Sequence, residues 1–410
     1  MYTRRCRNRL LGRTLWLEST RALQTGGSSE SRAFLFGVSG AVLCGVLAAT
    51  TVLWPVPRTL AQEALGRLTP TVAPASAHSR VAARPASTKP ASTVTGPLNG
   101  EPTPRVDALR RPVAVMIDNY FPDARPQSGL SQASVVFETM VEGGFTRLMA
   151  VYLEHDATMV GPVRSTRIYF DDWAAAYHAI LAHVGGNDDA DAQLWQMRPV
   201  YNLDQGTEVL GFTDTYFWRT ANRLAPDNMY TSVPKLRTYA AAKHQDWRYS
   251  QASLPHKQPK ALASRGRGTL SISFVDPLFP WVPPLSDYQV QYRFDPATDS
   301  YLRVVGGVTQ VDAANHQAIR AQNLVVMHTA AGSPDLAAGT TVDAVSIPVV
   351  GSGSAEYYRD GRIQHGTWRQ KDALAPLQFL NRQGKPEKFN PGQTWIDVLP
   401  LHSTATWTSH

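Results

Sequence analysis

From Ala33 to Trp54 the chain runs for 22 residues without a charged side chain. At about 1.5 Å of rise per residue this makes roughly 33 Å of helix, against about 30 Å of bilayer hydrocarbon. The stretch reads as a transmembrane helix, which sets the surroundings of everything else. Residues 1–32 carry seven arginines (Arg4, Arg5, Arg7, Arg9, Arg13, Arg21, Arg32) and two acids (Glu18, Glu30). An arginine-rich flank marks the cytoplasmic side, so the amino terminus is expected inside and the rest outside the plasma membrane, a single-pass arrangement. A cleaved signal peptide is the alternative. Cys44 in AVLCG suggests lipoprotein processing, but Leu43 stands where a small residue is required, which favours an uncleaved signal anchor.

Beyond residue 32 the charge nearly balances, with 33 Lys plus Arg against 31 Asp plus Glu. That leaves no electrostatic footprint for nucleic acid. Both cysteines, Cys6 and Cys44, lie in the tail or the span, so the outer part forms no disulfide and must be held by its core.

Residues 55–107 are rich in Pro, Ala, Ser and Thr, lack apolar periodicity and are expected to be a disordered stalk. Residues 108–250 read as a mixed α/β domain. PVAVMIDN is a buried strand ending at Asp118 and Asn119. SVVFETMVEGGFTRLMAVYLE is an antiparallel hairpin about a two-residue Gly143-Gly144 turn. Trp173, Tyr177, Ile180, Leu181 and Val184 follow helical spacing, which predicts a helix over 168–184, and a second helix capped by Asn187 or Asp188. Residues 251–268 read as a connector. In 269–410 LSISF, YQVQYRF, YLRVV and NLVVMH read as strands and AEYYRDGRIQHGTW as a hairpin at Asp360-Gly361, a mostly β domain. The fold class is therefore α+β, and no internal repeat is found.

RPVAVMIDN, ARPQSGLSQASVVFETMVEGGFTRLMAVY, GPVRSTR and HVGG, with GSGSAEYYRDGRIQHGTW and FNPGQTWIDVLP, resemble the YerB-like family of bacterial envelope lipoproteins. The resemblance spans residues 108–402 in order. It implies two successive domains, an extracytoplasmic location and no known activity, so no catalytic residue is carried over.

With Gly143-Gly144 as a two-residue turn, Glu138, Glu142 and Arg147 share one face of the hairpin. That is either a solvated ion-pair cluster or one wall of a pocket completed by Arg164 and Arg167, which stand at the start of the first helix. Cations are disfavoured there by about 0.3–1 kcal/mol each unless something negative offsets them. Asp171 could pair with Arg167 within the helix. Arg164 lacks such a partner and is free to hold a carboxylate or phosphate. Asn187 opens a helix whose exposed N–H groups could also take an anion, although plain capping explains it. His183 fits a core position. No metal-ligand spacing, nucleophile elbow, phosphate loop or cofactor motif is present.

These features favour a binding or scaffold protein that recognises an envelope protein or wall-derived ligand through the Arg/Glu face. The alternative is an envelope hydrolase or lyase acting on peptidoglycan fragments with Glu138 or Glu142 as acid or base. Four residues along a strand set those two about 13 Å apart, too far for a glycosidase pair.

Overall fold

The structure is a computed structural model describing residues 92–197, 199–206, 215–248, 253–330 and 345–410. The Ala33–Trp54 span, the arginine-rich tail and residues 55–91 of the expected stalk lie outside the described residues. Among the described residues no helix is long and apolar enough to cross a membrane.

The order is fixed early. Strands β1 (Thr93–Thr95) and β2 (Pro102–Pro104) pair as a short hairpin, and helix α1 (Arg105–Ala108) follows. These residues fall in the expected stalk, yet Leu98 is fully buried and the Glu154 carboxylate accepts from the Leu98 and Asn99 N–H groups at 2.7 and 3.2 Å. The folded part therefore begins by Thr93, inside the stretch expected to be stalk.

Next come β3 (Val113–Asp118), β4 (Val135–Met140), β5 (Thr146–Tyr152), α2 (Ile168–Ala176), β6 (Ile180–His183), α3 (Asp188–Gln196), β7 (Tyr201–Asp204), β8 (Phe217–Arg219), β9 (Met229–Thr231) and α4 (Val233–Ala242). The second half supplies β10 (Gly268–Ser273), β11 (Val290–Asp295), β12 (Ser300–Val305), β13 (Val308–Thr309), β14 (Arg320–Ala321), β15 (Asn323–His328), β16 (Gly351–Arg359), β17 (Arg362–Gln370), β18 (Gln378–Asn381), β19 (Thr394–Leu399) and β20 (Thr404–Ser409).

Strands of both halves build one ten-stranded sheet in the order β18-β17-β16-β15-β19-β4-β5-β3-β6-β7. The join is β19, which runs parallel to β15 on one side and to β4 on the other. A smaller sheet, β13-β12-β11-β10-β20 with β14 on β12, stands apart from it. One face of the large sheet (Val115, Ile117, Val136, Leu148, Trp395) shares a core with Leu270, Val290 and Tyr292 of the small sheet and Leu236 of α4. The other face (Met116, Phe137, Met149, Ile396) covers Tyr169, Phe170 and Trp173 of α2. The central strands are apolar on both faces because both faces are covered.

Two expectations are corrected. The hairpin loop holds three residues, Glu142–Gly144, closed by Val141 N–H donating to Phe145 O at 2.8 Å, with Gly143 and Gly144 at φ +77° and +76°. Thr139 therefore faces Arg147, and Leu148 faces Glu138. Shifting the pairing by one residue moves a side chain to the opposite face, so Glu138 and Arg147 lie on opposite sides of the sheet. The helix expected over 168–184 stops at Ala176; His178 at φ +48° turns the chain, and Ile180–His183 becomes β6, parallel to β3 and β7. A short apolar run cannot be assigned to helix or strand by periodicity alone.

Candidate ligand cleft at the end of strand β3

Asp118 is the last residue of β3, and the GPVRSTR segment runs beside it as extended chain. Pro162 O accepts from Asp118 N–H at 2.8 Å, and Arg164 N–H donates to Met116 O at 3.0 Å. Arg164 is thus placed by pairing with β3, several residues before the helix. Its Nε donates to Asp118 Oδ2 at 2.7 Å. Neither terminal nitrogen of Arg164 has a hydrogen-bond partner among the described residues, and its side chain is 31% exposed. Arg164 borders a cleft of about 580 Å³ that is also lined by Tyr120, Asp123, Asn222, Arg223, Leu224 and Asp227. Arg223 crosses between the two loops that form the walls, donating to Asp123 O at 3.0 Å and Pro126 O at 2.6 Å.

Asp227 of the lining meets Asp118, which lies behind the cleft, and their environments push the two carboxyl groups apart. Burial would raise Asp118, but Arg147, Arg164 and a hydrogen bond with Asp227 hold it below the usual carboxylate range. Its Oδ1 also accepts from the N–H groups of Asn119 and Tyr120 at 2.8 and 3.1 Å. Burial, and then the hydrogen bond and charge of Asp118, push Asp227 up to about 6. Asp227 Oδ1 is buried without a hydrogen-bond partner among the described residues, as is Nε of Arg147, whose Nη1 donates to Ser165 O at 3.0 Å. A pair split this way can keep one anion fixed while the other side chain carries a proton.

The residues singled out from sequence scatter over four places. Arg164 lines the cleft, and Arg147 lies behind it beside Asp118. Arg167 is the residue just before α2 and grips Glu142 through one edge of its guanidinium, with Nε to Oε1 at 2.9 Å and Nη2 to Oε2 at 2.6 Å. The charge at the helix start is therefore offset by the hairpin loop. Asp171 instead takes the Thr166 hydroxyl at 2.6 Å, and burial raises its pKa well above the ordinary value. Asn187 caps α3, accepting from Ala190 N–H at 3.4 Å. His183 is buried, with Nδ1 at 2.8 Å from Gly185 O and Nε2 at 2.6 Å from Asn202 Oδ1.

Glu138 lies in neither the cleft nor the hairpin loop; it is sealed between the two sheets. Its Oε2 accepts from Arg303 Nη2 at 2.5 Å and its Oε1 from the Thr146 hydroxyl at 2.7 Å, and Glu138, Arg303 and Asp397 are all fully buried. Glu138 is therefore structural, and the shared Glu138, Glu142 and Arg147 face does not exist. Burial, and then the nearby Glu138, raise Asp397 well above the ordinary value. A carboxyl whose pKa rises on folding loses stability as pH climbs from its unfolded value, about 3.9, toward the folded one. Asp397→Asn removes that loss. Urea unfolding between about pH 4 and 7 should then show a flatter profile and equal or higher stability at neutral pH.

Asp118 and Asp227 were not singled out from sequence. The available signal was PVAVMIDN itself, a buried strand ending on two polar residues, since ligands in open sheets with parallel strands gather at the carboxyl ends. Asp227 arrives from a loop 109 residues later in the chain. Among the described residues no group of His, Cys, Asp or Glu could hold a metal ion.

Residues 98–248 match the family described as "Protein of unknown function (DUF3048) N-terminal domain" and residues 282–396 the corresponding C-terminal domain. YerB of Bacillus subtilis (strain 168), which bears the provisional name of lipoprotein, is 29% identical over 311 residues, 76% of this chain and 87% of its own length. The crystal structure of the YerB protein from Bacillus subtilis resembles this fold with a TM-score of 0.65 at 26% identity, covering 76% of this chain and 99% of that one. Both matched segments contribute strands to the same sheet, and the chain belongs to the YerB-like family.

Proposed function

We propose that this is a membrane-anchored binding protein of the bacterial envelope that holds a carboxylate-bearing wall fragment in the cleft at the end of β3. The provisional lipoprotein name of its relative and the uncharged 33–54 stretch after an arginine-rich tail support the placement. The observation that carries the binding reading is Arg164: one edge of its guanidinium is fixed by Asp118, and the terminal nitrogens stand unpaired at an open cleft. A guanidinium held on one edge presents the other to a carboxylate with little entropy left to lose.

The test is titration of the full-length chain, in neutral detergent, with muropeptides from a wall digest. Arg164→Lys keeps a cation for Asp118 but loses the fork, and should weaken binding by about tenfold, or 1.4 kcal/mol, without lowering the unfolding temperature. Unchanged affinity in that variant overturns the proposal. Because Asp227 gains its proton below about pH 6, the cleft sheds a negative charge there, and an anionic fragment should bind more tightly below that pH than at neutrality. Asp227→Asn should make affinity independent of pH over that interval.

The split pair of carboxyl groups favours one second reading, hydrolysis of wall fragments with ionised Asp118 as base and protonated Asp227 as acid. It replaces Glu138 and Glu142 in that role, since both are committed to arginines. Turnover of muropeptides by the parent chain and none by Asp227→Asn, with binding retained, would select it.

A further inference from the structure

Around α1, a second cleft of about 650 Å³ is lined by five arginines, Arg105, Arg110, Arg111, Arg237 and Arg248, and by Asp246 as its one acid. Two further carboxylates stand close: Asp156 takes Arg110 and Arg237 at 2.9 and 3.0 Å, and Asp107 lies 3.3 Å from Arg110. Five guanidinium groups face three carboxylates. The inner cations are rigidly placed. Arg111 is 1% exposed and has no carboxylate partner among the described residues; it donates to the carbonyls of His178 and Pro199 at 2.7 and 2.6 Å and lies 4.2 Å from the centre of the Trp247 ring. Arg237 donates to Tyr152 O at 3.2 Å and to Arg111 O at 2.5 Å. Burial lowers both to about 10, as expected for desolvated cations short of counter-charge. At the rim, Arg105 and Arg248 are exposed, and their side chains make no hydrogen bond or ion pair among the described residues.

We infer that this cleft binds phosphodiester groups, through the free forks of Arg105 and Arg248 over a fixed cationic floor. A single planar carboxylate occupies one fork, whereas the tetrahedral oxygens of a phosphodiester accept from several directions at once. The volume exceeds one phosphate and suits a unit with its flanking polyol. Such a unit occurs in two envelope sources, an anionic phospholipid headgroup and a soluble polyol phosphate polymer. The site is separate from the β3 cleft, and its test is independent of that reading.

The full-length chain is titrated in neutral detergent with inorganic phosphate and with glycerophosphoglycerol, at low and high salt. In a second arm it is reconstituted in phosphatidylcholine nanodiscs with and without phosphatidylglycerol, and amide exchange is followed over residues 105–111 and 241–248. Saturable, salt-sensitive binding of the soluble diester, weakened about tenfold or more by Arg105→Glu with Arg248→Glu and untouched by Arg164→Lys, supports the site with a polymer source. Slowed exchange only with phosphatidylglycerol, abolished by the same double variant, supports it with a headgroup source. The inference is overturned if neither arm responds, or if the double variant, still folded by its unfolding temperature, responds like the parent.

Discussion

Arg303→Met should destabilise the chain by about 3–5 kcal/mol in urea unfolding, because it leaves an ionised carboxylate sealed between two sheets. Arg303 is the cation that pairs directly with Glu138 in that seam. Its Nη2 reaches Glu138, its Nε donates to Gln310 Oε1 at 2.5 Å, and its Nη1 to the Tyr292 hydroxyl. Its guanidinium carbon lies 4.2 Å from the centre of the Trp395 ring. A total stability of about 5–15 kcal/mol makes this loss a large fraction. The control is Glu138→Leu combined with Arg303→Met, which removes both charges and should recover much of the stability, since an apolar pair of similar volume often replaces a buried ion pair without cost. Equal losses in the single and double variants would show that lost packing, rather than stranded charge, sets the effect.

Trp173→Ala should cost a similar amount, about 3–5 kcal/mol, for a different reason. Trp173 is fully buried on α2, stacked on Phe137 of β4 with ring centres 4.8 Å apart at 17°, and edge-on to Phe170 at 5.4 Å. Removing the indole opens a cavity where the helix meets the sheet, and the aromatic neighbours cannot close it. Its Nε1 has no hydrogen-bond partner among the described residues. Trp173→Phe therefore keeps most of the stack and removes a stranded donor, so it should cost at most about 1–2 kcal/mol. A phenylalanine variant as unstable as the alanine one would mean that indole volume alone holds α2.

What the sequence made legible was local. Asp360-Gly361 stands at φ +53° and +65° between Arg359 and Arg362, the two-residue turn its composition demands. The strands at 113–118, 290–295, 300–305 and 323–328 follow from their apolar runs and turn residues. The hairpin register was not legible, because two adjacent glycines allow a loop of two or three residues and only packing decides between them. Glu138 carries a hint of its burial in the sequence around it. In VVFETMV both alternating faces are apolar, so a strand there is covered on both sides, and a lone carboxylate within it needs a buried partner. That partner, Arg303, lies 165 residues away, where no local pattern points. The β3 cleft is half visible in the sequence: Arg164 has no acid at helical spacing, while its companions Asp118 and Asp227 come together only through tertiary pairing.

The position of β19 governs how the chain can be assembled and divided. Residues 394–399 fill the slot between β4 and β15, so synthesis must pass position 399 before either neighbour acquires its partner. Until then two long apolar strands offer bare hydrogen-bonding edges, an invitation to intermolecular pairing. Contacts spanning some 260 residues also imply slow closure. Cutting at 251–268 would therefore yield two sticky fragments in place of two portable modules, and co-expression of the pieces, rather than either alone, is the route to a soluble product.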